Sequence, residues 1–280
     1  MADDGVAVHG GAEGLSVVTR PSGLDLANYA PWHLLVLAAV VAAAGFLHGV
    51  IGFGFPIIAM PMLTAVLDAK TAVLLTVVPI IAITLVSSFR GGNLRQSIGR
   101  FWWLPLVAAA GGFLGVQLFL VAPVQAITVL LAALIVVYLL LDRFGPGRFP
   151  LVHRHWIPFG AAAALIAGTS EASVNVGVPP LLIYFMLAGV DPLAMVQSLN
   201  FIFLASKLVQ TATLIVTGAL PVTAVVAMLP FAALAVGTLY AGMRVRDRLA
   251  VATYRRALRV FLWIAVVVLL ARVGAGLLPS

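Results

Sequence analysis

The chain has 280 residues, of which 63% are hydrophobic and only 9% charged, and its mean hydropathy is +1.16. A soluble domain carries about a quarter charged residues, so the composition excludes a soluble enzyme or binding module and points to a polytopic membrane protein. Cysteine is absent, which excludes disulfides, thiolate metal sites and a cysteine-based sulfur relay. The net charge of +7 is a topology signal and not nucleic-acid affinity, because twelve of the sixteen Lys and Arg fall in three short loops.

Residues 1–30 are Gly-rich and mildly acidic, with Asp3, Asp4, Glu13 and Asp25 against Arg20. They are expected to form a disordered tail, since no basic segment precedes an apolar run as in a signal peptide. Next come Trp32–Leu67, Lys70–Phe89, Phe101–Leu141 and, later, Val222–Met243. Each is long enough for a bilayer core, which takes about 20 residues. The first contains GFLHGVIGFGFPIIAMPML, Gly45 to Leu63, with glycines, a histidine and prolines in a greasy run. Interior glycine costs a helix about 1 kcal/mol and proline about 3, so this segment is expected to break.

Sliding the chain by 123 positions lays Ala38–Asp68 on Ala161–Asp191 without a gap, and eight of the 31 positions are identical. Four of these are alanines and carry little weight. The others, Gly45/Gly168, Gly54/Gly177, Pro56/Pro179 and Asp68/Asp191, form a frame. It reads G-x2-H-x3-G-x-G-x-P in the first half and G-x2-E-x3-N-x-G-x-P in the second. An internal duplication follows, with each motif making a re-entrant or broken-helix hairpin whose second arm is short (Phe55–Leu67 in the first half). Irregular backbone at membrane depth is tolerated only where protein buries it or where it lines a cavity.

Topology gives a separate handle. Arg90, Arg95 and Arg100 share one loop, Arg143, Arg148 and Arg154 another, and Arg244, Arg246, Arg248, Arg255, Arg256 and Arg259 the last. All three loops are expected in the cytoplasm. They fall on one side if each half is a hairpin plus three spans, at about 71–89, 101–121 and 124–142, then about 193–217, 222–243 and 256–275. An odd number of spans per half makes the halves inverted, a design common in secondary transporters. The expected organisation is an all-α membrane protein: tail 1–30, first repeat 31–142, basic cytoplasmic loop 143–156 and second repeat 157–280. Both termini are then non-cytoplasmic.

The first motif, together with GTSEASVNVGVPPLLIYFMLAGVDP and NFIFLASKLVQ, resembles the sulfite exporter TauE/SafE family of membrane permeases from about residue 35 to 272. That resemblance implies transport of small sulfur-containing or organic anions, such as sulfite and sulfonates, across the bacterial inner membrane. The chain departs from the commonest family pattern at both tips. Phe53 and Phe55 interleave Gly52, Gly54 and Pro56, and Glu171 and Asn175 stand where glycines are frequent.

A helix N-terminus attracts anions, so the starts of the two short arms, at Phe55 and Val178, are candidate walls of an anion site. Gly52 and Gly54 accompany the first, and Asn175 and Gly177 the second. The competing reading is that the glycines only allow close helix packing. Lys207, at mid-span, is read as counter-charge for the substrate or as a structural partner of Glu171, since a mid-bilayer lysine costs about 2.5–3.5 kcal/mol on insertion scales. His48 and Glu171 hold equivalent positions, and both side chains exchange protons, so they are candidates for proton coupling. For His48 the alternative is a hydrogen-bonded packing residue. Ser173, Asn200 and Gln210 suit oxyanion oxygens or, equally, helix-helix bonding. His153 and His155 lie in a basic loop and are read as solvated. No cofactor, metal site or catalytic constellation is expected. The expected partners are a small anion and the lipid bilayer, with no nucleic acid, and a homodimer is left open. An anion channel and a proton-coupled importer are the alternatives to an exporter.

Overall fold

The computed structural model describes residues 30–90, 99, 101–144, 156–246, 263, 266–267 and 270–271. The tail, most of the three basic loops and most of the span expected at 256–275 lie outside the described residues. Among those described there are ten helices: α1 Pro31–Ile51, α2 Phe55–Thr64, α3 Ala69–Phe89, α4 Leu104–Val121, α5 Val124–Phe144, α6 Trp156–Val174, α7 Val178–Leu187, α8 Pro192–Val216, α9 Val222–Ala227 and α10 Leu229–Val245. Six stretches are long and apolar enough to cross a membrane: α1, α3, α4, α6, Leu193–Val216 in α8, and Val222–Val245 across α9 and α10. The protein is an all-helical polytopic membrane protein.

The expected breaks are present. Each half opens with a long arm, α1 or α6, and returns through a ten-residue arm, α2 or α7. The repeated aspartates do the same job twice. Asp68 caps α3 by accepting from the Thr71 N–H at 2.9 Å, and Asp191 caps α8 by accepting from Leu193 at 2.9 Å and Ala194 at 3.3 Å. Two boundaries differ from expectation. The first short arm ends at Thr64, where the Val66 and Leu67 N–H groups both turn back to the Leu63 carbonyl. The span expected at 222–243 is interrupted at Met228, just before Pro230, which leaves α9 as a separate six-residue helix.

Besides their own short arms, the long arms pack chiefly against the other half. α1 lies along α10, and α6 lies along α4. Small residues let the backbones meet: a Cβ on Gly49 would run into the Leu239 carbonyl of α10, and one on Gly168 into Ala108 of α4. α3 and α8 form the centre, each packed against the long helices of the other half. They run antiparallel, because Gln197 donates to the Ser88 carbonyl at 3.0 Å while Asn175 bridges Thr76 of α3 and Lys207 of α8 further along.

Candidate functional site: a closed cavity between two hairpin tips

Between α1 and α2 the backbone turns through Gly52 (φ 97°) and Gly54 (φ 100°), conformations a Cβ would strain. Gly52 also has Val196 of α8 where its side chain would be. The Gly52 carbonyl accepts from Asn200 Nδ2 at 2.8 Å, which docks this tip on α8. His48, one turn back in α1, closes the turn from inside. Its Nδ1 accepts the Phe55 N–H at 3.3 Å, so in the neutral ring the proton sits on Nε2, which faces Ser87 Oγ at 3.2 Å. His48 is 2% exposed.

The second tip repeats this plan with charged groups. Asn175 takes the left-handed position (φ 59°) that Gly52 takes in the first, a shape asparagine tolerates better than most residues. Its side chain docks the tip on α3, donating to the Val73 carbonyl at 3.1 Å and to Thr76 Oγ1 at 2.7 Å. Val73 and Val196 are themselves 123 positions apart. The docking contacts are therefore reciprocal. Glu171 takes the role of His48: Oε2 accepts the Gly177 N–H at 2.9 Å.

Glu171 Oε1 lies 3.2 Å from Lys207 Nζ, with the two side chains 1% and 0% exposed. The ammonium also donates to the Glu171 carbonyl at 2.9 Å, to Gln210 Oε1 at 2.7 Å and to Asn175 Oδ1. Gln210 is held in turn through Nε2 on the Ala172 carbonyl at 2.8 Å. Three donors thus meet three hydrogen-bond acceptors, with Glu171 Oε1 in ion-pair range beside them, and no Lys207 proton is left over.

A small, largely enclosed cavity of about 10 Å³ lies between the tips, too narrow as it stands for an oxyanion without side-chain movement. Its walls are His48, Phe53, Gly54, Phe55 and Pro56 from the first tip, Glu171 and Val178 from the second, Ile80, Ile83 and Thr84 of α3, and Asn200 and Phe203 of α8. Of the residues singled out in the sequence, His48, Gly54, Phe55, Glu171, Val178 and Asn200 meet there. Lys207, Gln210, Asn175, Gly52 and Gly177 stand behind the wall and hold it. Ser173 turns back on its own helix, with Oγ bonded to the Thr169 carbonyl at 2.8 Å.

Both tips reach the one cavity, the first through Phe55 and the second through Val178. The first engages α3 at Ser87 and the second at Thr76, eleven residues apart, or about 16 Å of helix. At each tip one N–H near the start of the short arm is already taken, by His48 or by Glu171. The cavity is lined mainly by apolar side chains, with His48, Glu171, Thr84 and Asn200 as its polar side chains.

Sequence reasoning missed Ile80, Thr84, Ser87 and Phe203. A signal was available in the 123-residue offset, which lays Ile80 on Phe203, Thr84 on Lys207 and Ser87 on Gln210. Identity fades beyond Asp191, yet Ile80 and Phe203 both stand in the cavity wall.

No curated relative and no solved structure matches the chain. The family model described as sulfite exporter TauE/SafE matches residues 37–269, which takes in both hairpins and the walls of the cavity, and the chain belongs to that family of membrane transporters.

Proposed function

We propose that the protein exports small oxyanions, sulfite foremost and sulfonates or organic acids as related cargo, from the cytoplasm across a bacterial inner membrane, binding them in the cavity between the tips. The observation that carries this is the cavity itself. It is closed, lies between the two halves and is walled by both broken helices, the arrangement in which transporters place their substrates. The antiparallel course of α3 and α8, which occupy equivalent places in the repeat, supports an inverted relation between halves. That relation gives the two-sided symmetry that alternating access needs. With the arginine-rich loops in the cytoplasm, both termini lie outside. A cysteine near Gln96 then stays unlabelled by an impermeant reagent applied to intact cells.

Direction follows from energetics. A membrane potential negative inside favours outward movement of an anion by about 2.3 kcal/mol per charge per 100 mV, so export needs no further energy source. A second reading, proton-coupled import, is favoured by one specific observation: Glu171, a carboxyl group, is part of the cavity wall. An ionised carboxylate there repels an arriving oxyanion, and protonating it removes the repulsion.

Proteoliposomes containing the protein separate the two when potential and pH gradient are imposed independently. Export predicts sulfite flux driven by potential alone. Flux that requires a pH gradient and is lost in Glu171→Gln supports coupling. No flux of sulfite, a sulfonate or a simple carboxylate under either gradient overturns the transporter assignment of this cavity.

A further inference from the structure

Beyond the cavity, the end of α3 carries an unassigned set of groups. Arg90, Tyr240, Met243 and Arg244 line an open cleft of about 580 Å³. Arg90 caps the C-terminal end of α3 and lies over the Tyr240 ring, 4.4 Å from its centroid. That contact fixes the guanidinium against an aromatic face without neutralising it. Arg90 and Arg244 are both exposed, and among the described residues neither forms an ion pair with a carboxylate. Two unneutralised guanidiniums in one cleft raise the local concentration of anions.

Inward from this cleft stands Ser88, two residues before Arg90, with Gln197 of α8 beside it. The Gln197 Nε2 bond to the Ser88 carbonyl joins the two helices here. Among the described residues, Ser88 Oγ and Gln197 Oε1, in residues 0% and 1% exposed, have no hydrogen-bond partner. A buried polar atom left unpaired is costly, about 1–3 kcal/mol, and two of them side by side mark a place where water or a ligand passes. One turn further along α8, Asn200 is already in the cavity wall. On α3, Thr84 stands in the same wall, six residues and about 9 Å from Arg90.

We propose that the substrate's route between cytoplasm and cavity runs along the α3–α8 seam: an anion-gathering mouth at Arg90 and Arg244, then a polar neck at Ser88 and Gln197, closed in this conformation by their mutual bond. The ligand at the mouth is a small free oxyanion. This rests on the exporter reading for its cargo, but the mouth and neck are tested without any transport measurement.

The test uses the full-length protein in vesicles, which has no native cysteine, and the near-isosteric Ser88→Cys. Anionic and cationic methanethiosulfonates of similar size are added, without sulfite, to the face carrying Arg90. The proposal expects labelling of the cysteine, with the anionic reagent faster by about tenfold after correction for intrinsic reactivity, and less so as salt is raised. Adding Arg90→Gln and Arg244→Gln should bring the two rates to near parity. No labelling at Ser88→Cys, while Arg246→Cys on the same face labels normally, overturns the route. Labelling without charge preference, or with a preference the arginine changes leave intact, overturns the mouth.

Vesicles of phosphatidylcholine alone and with added phosphatidylglycerol distinguish the sources of the anion. If anionic lipid abolishes the preference, the arginines hold a lipid phosphate and the free-oxyanion mouth is wrong. Sulfite flux is measured on the same preparations. Its absence with the labelling pattern intact defeats the exporter reading and leaves the anion route standing.

Discussion

The two hairpin tips share one backbone plan and differ in charge. In the first, a neutral set, His48, Thr84 and Ser87, stands at the positions that Glu171, Lys207 and Gln210 occupy in the second. Each tip uses its histidine or glutamate to accept a backbone N–H at the turn. The first then finishes with a single imidazole–hydroxyl contact, and the second with a buried ion pair and three further bonds to the ammonium. The difference separates scaffolding from electrostatics. The fold needs an acceptor at that position, and both tips supply one. It does not need a buried charge, since the first tip stands without it. Charge in the second tip is therefore a local specialisation, placed at one side of the cavity.

The comparison is broken most severely by removing one charge. Lys207→Met leaves the Glu171 carboxylate buried and unpaired, and is expected to cost about 3–5 kcal/mol. Thr84→Val, at the equivalent place in the first half, is expected to cost about 1 kcal/mol or less. Thermal unfolding in detergent checks the contrast, and equal shifts for the two variants would show that the charge pair carries no special burden. Lys207→Met combined with Glu171→Gln should recover most of the loss, because no isolated charge remains. If transport by the recovered protein is also normal, the pair is structural and plays no part in moving anions.

The backbone plan itself is probed by the left-handed positions. Gly52→Ala forces a Cβ into a positive φ and onto Val196, and is expected to cost about 1–3 kcal/mol. Asn175→Gly relaxes the backbone at the equivalent residue but removes the bonds to Thr76, Val73 and Lys207. Net destabilisation by Asn175→Gly in the same unfolding assay shows that this side chain, and not the turn, holds the second tip. A neutral result assigns it to the turn.

The smallest effects belong to the neutral tip. Ser87→Ala removes one contact to His48 and should cost about 0.6 kcal/mol, the usual size for a side-chain bond between membrane helices. His48→Ala also frees the buried Phe55 N–H and should cost more, about 1–3 kcal/mol. Unfolding midpoints for the two variants, read against wild type, test that order. The reverse order would mean that His48 does not hold the first turn.

The sequence by itself determined the membrane class, from its lack of charge. It also determined the breaks at Gly52–Gly54 and after Val174, because propensity acts over a few residues and leaves local marks. The family was legible for the same reason, since its motifs sit on those local features. The sequence also marked Lys207 and Glu171, because a charge in an apolar run is conspicuous whatever surrounds it.

Only the tertiary structure decided which of these groups reach the cavity. Lys207 was readable as a substrate counter-charge or as a partner of Glu171, and packing of α8 against the second tip sets it on Glu171, Asn175 and Gln210 behind the cavity wall. Thr84 and Phe203 line the cavity with no mark of their own beyond the repeat offset, since a threonine or phenylalanine in an apolar helix is ordinary. Their positions follow from the antiparallel crossing of α3 and α8, a long-range arrangement of two helices more than a hundred residues apart. Composition and spacing report what each segment prefers alone, and the cavity is made by how segments from both halves close on one another.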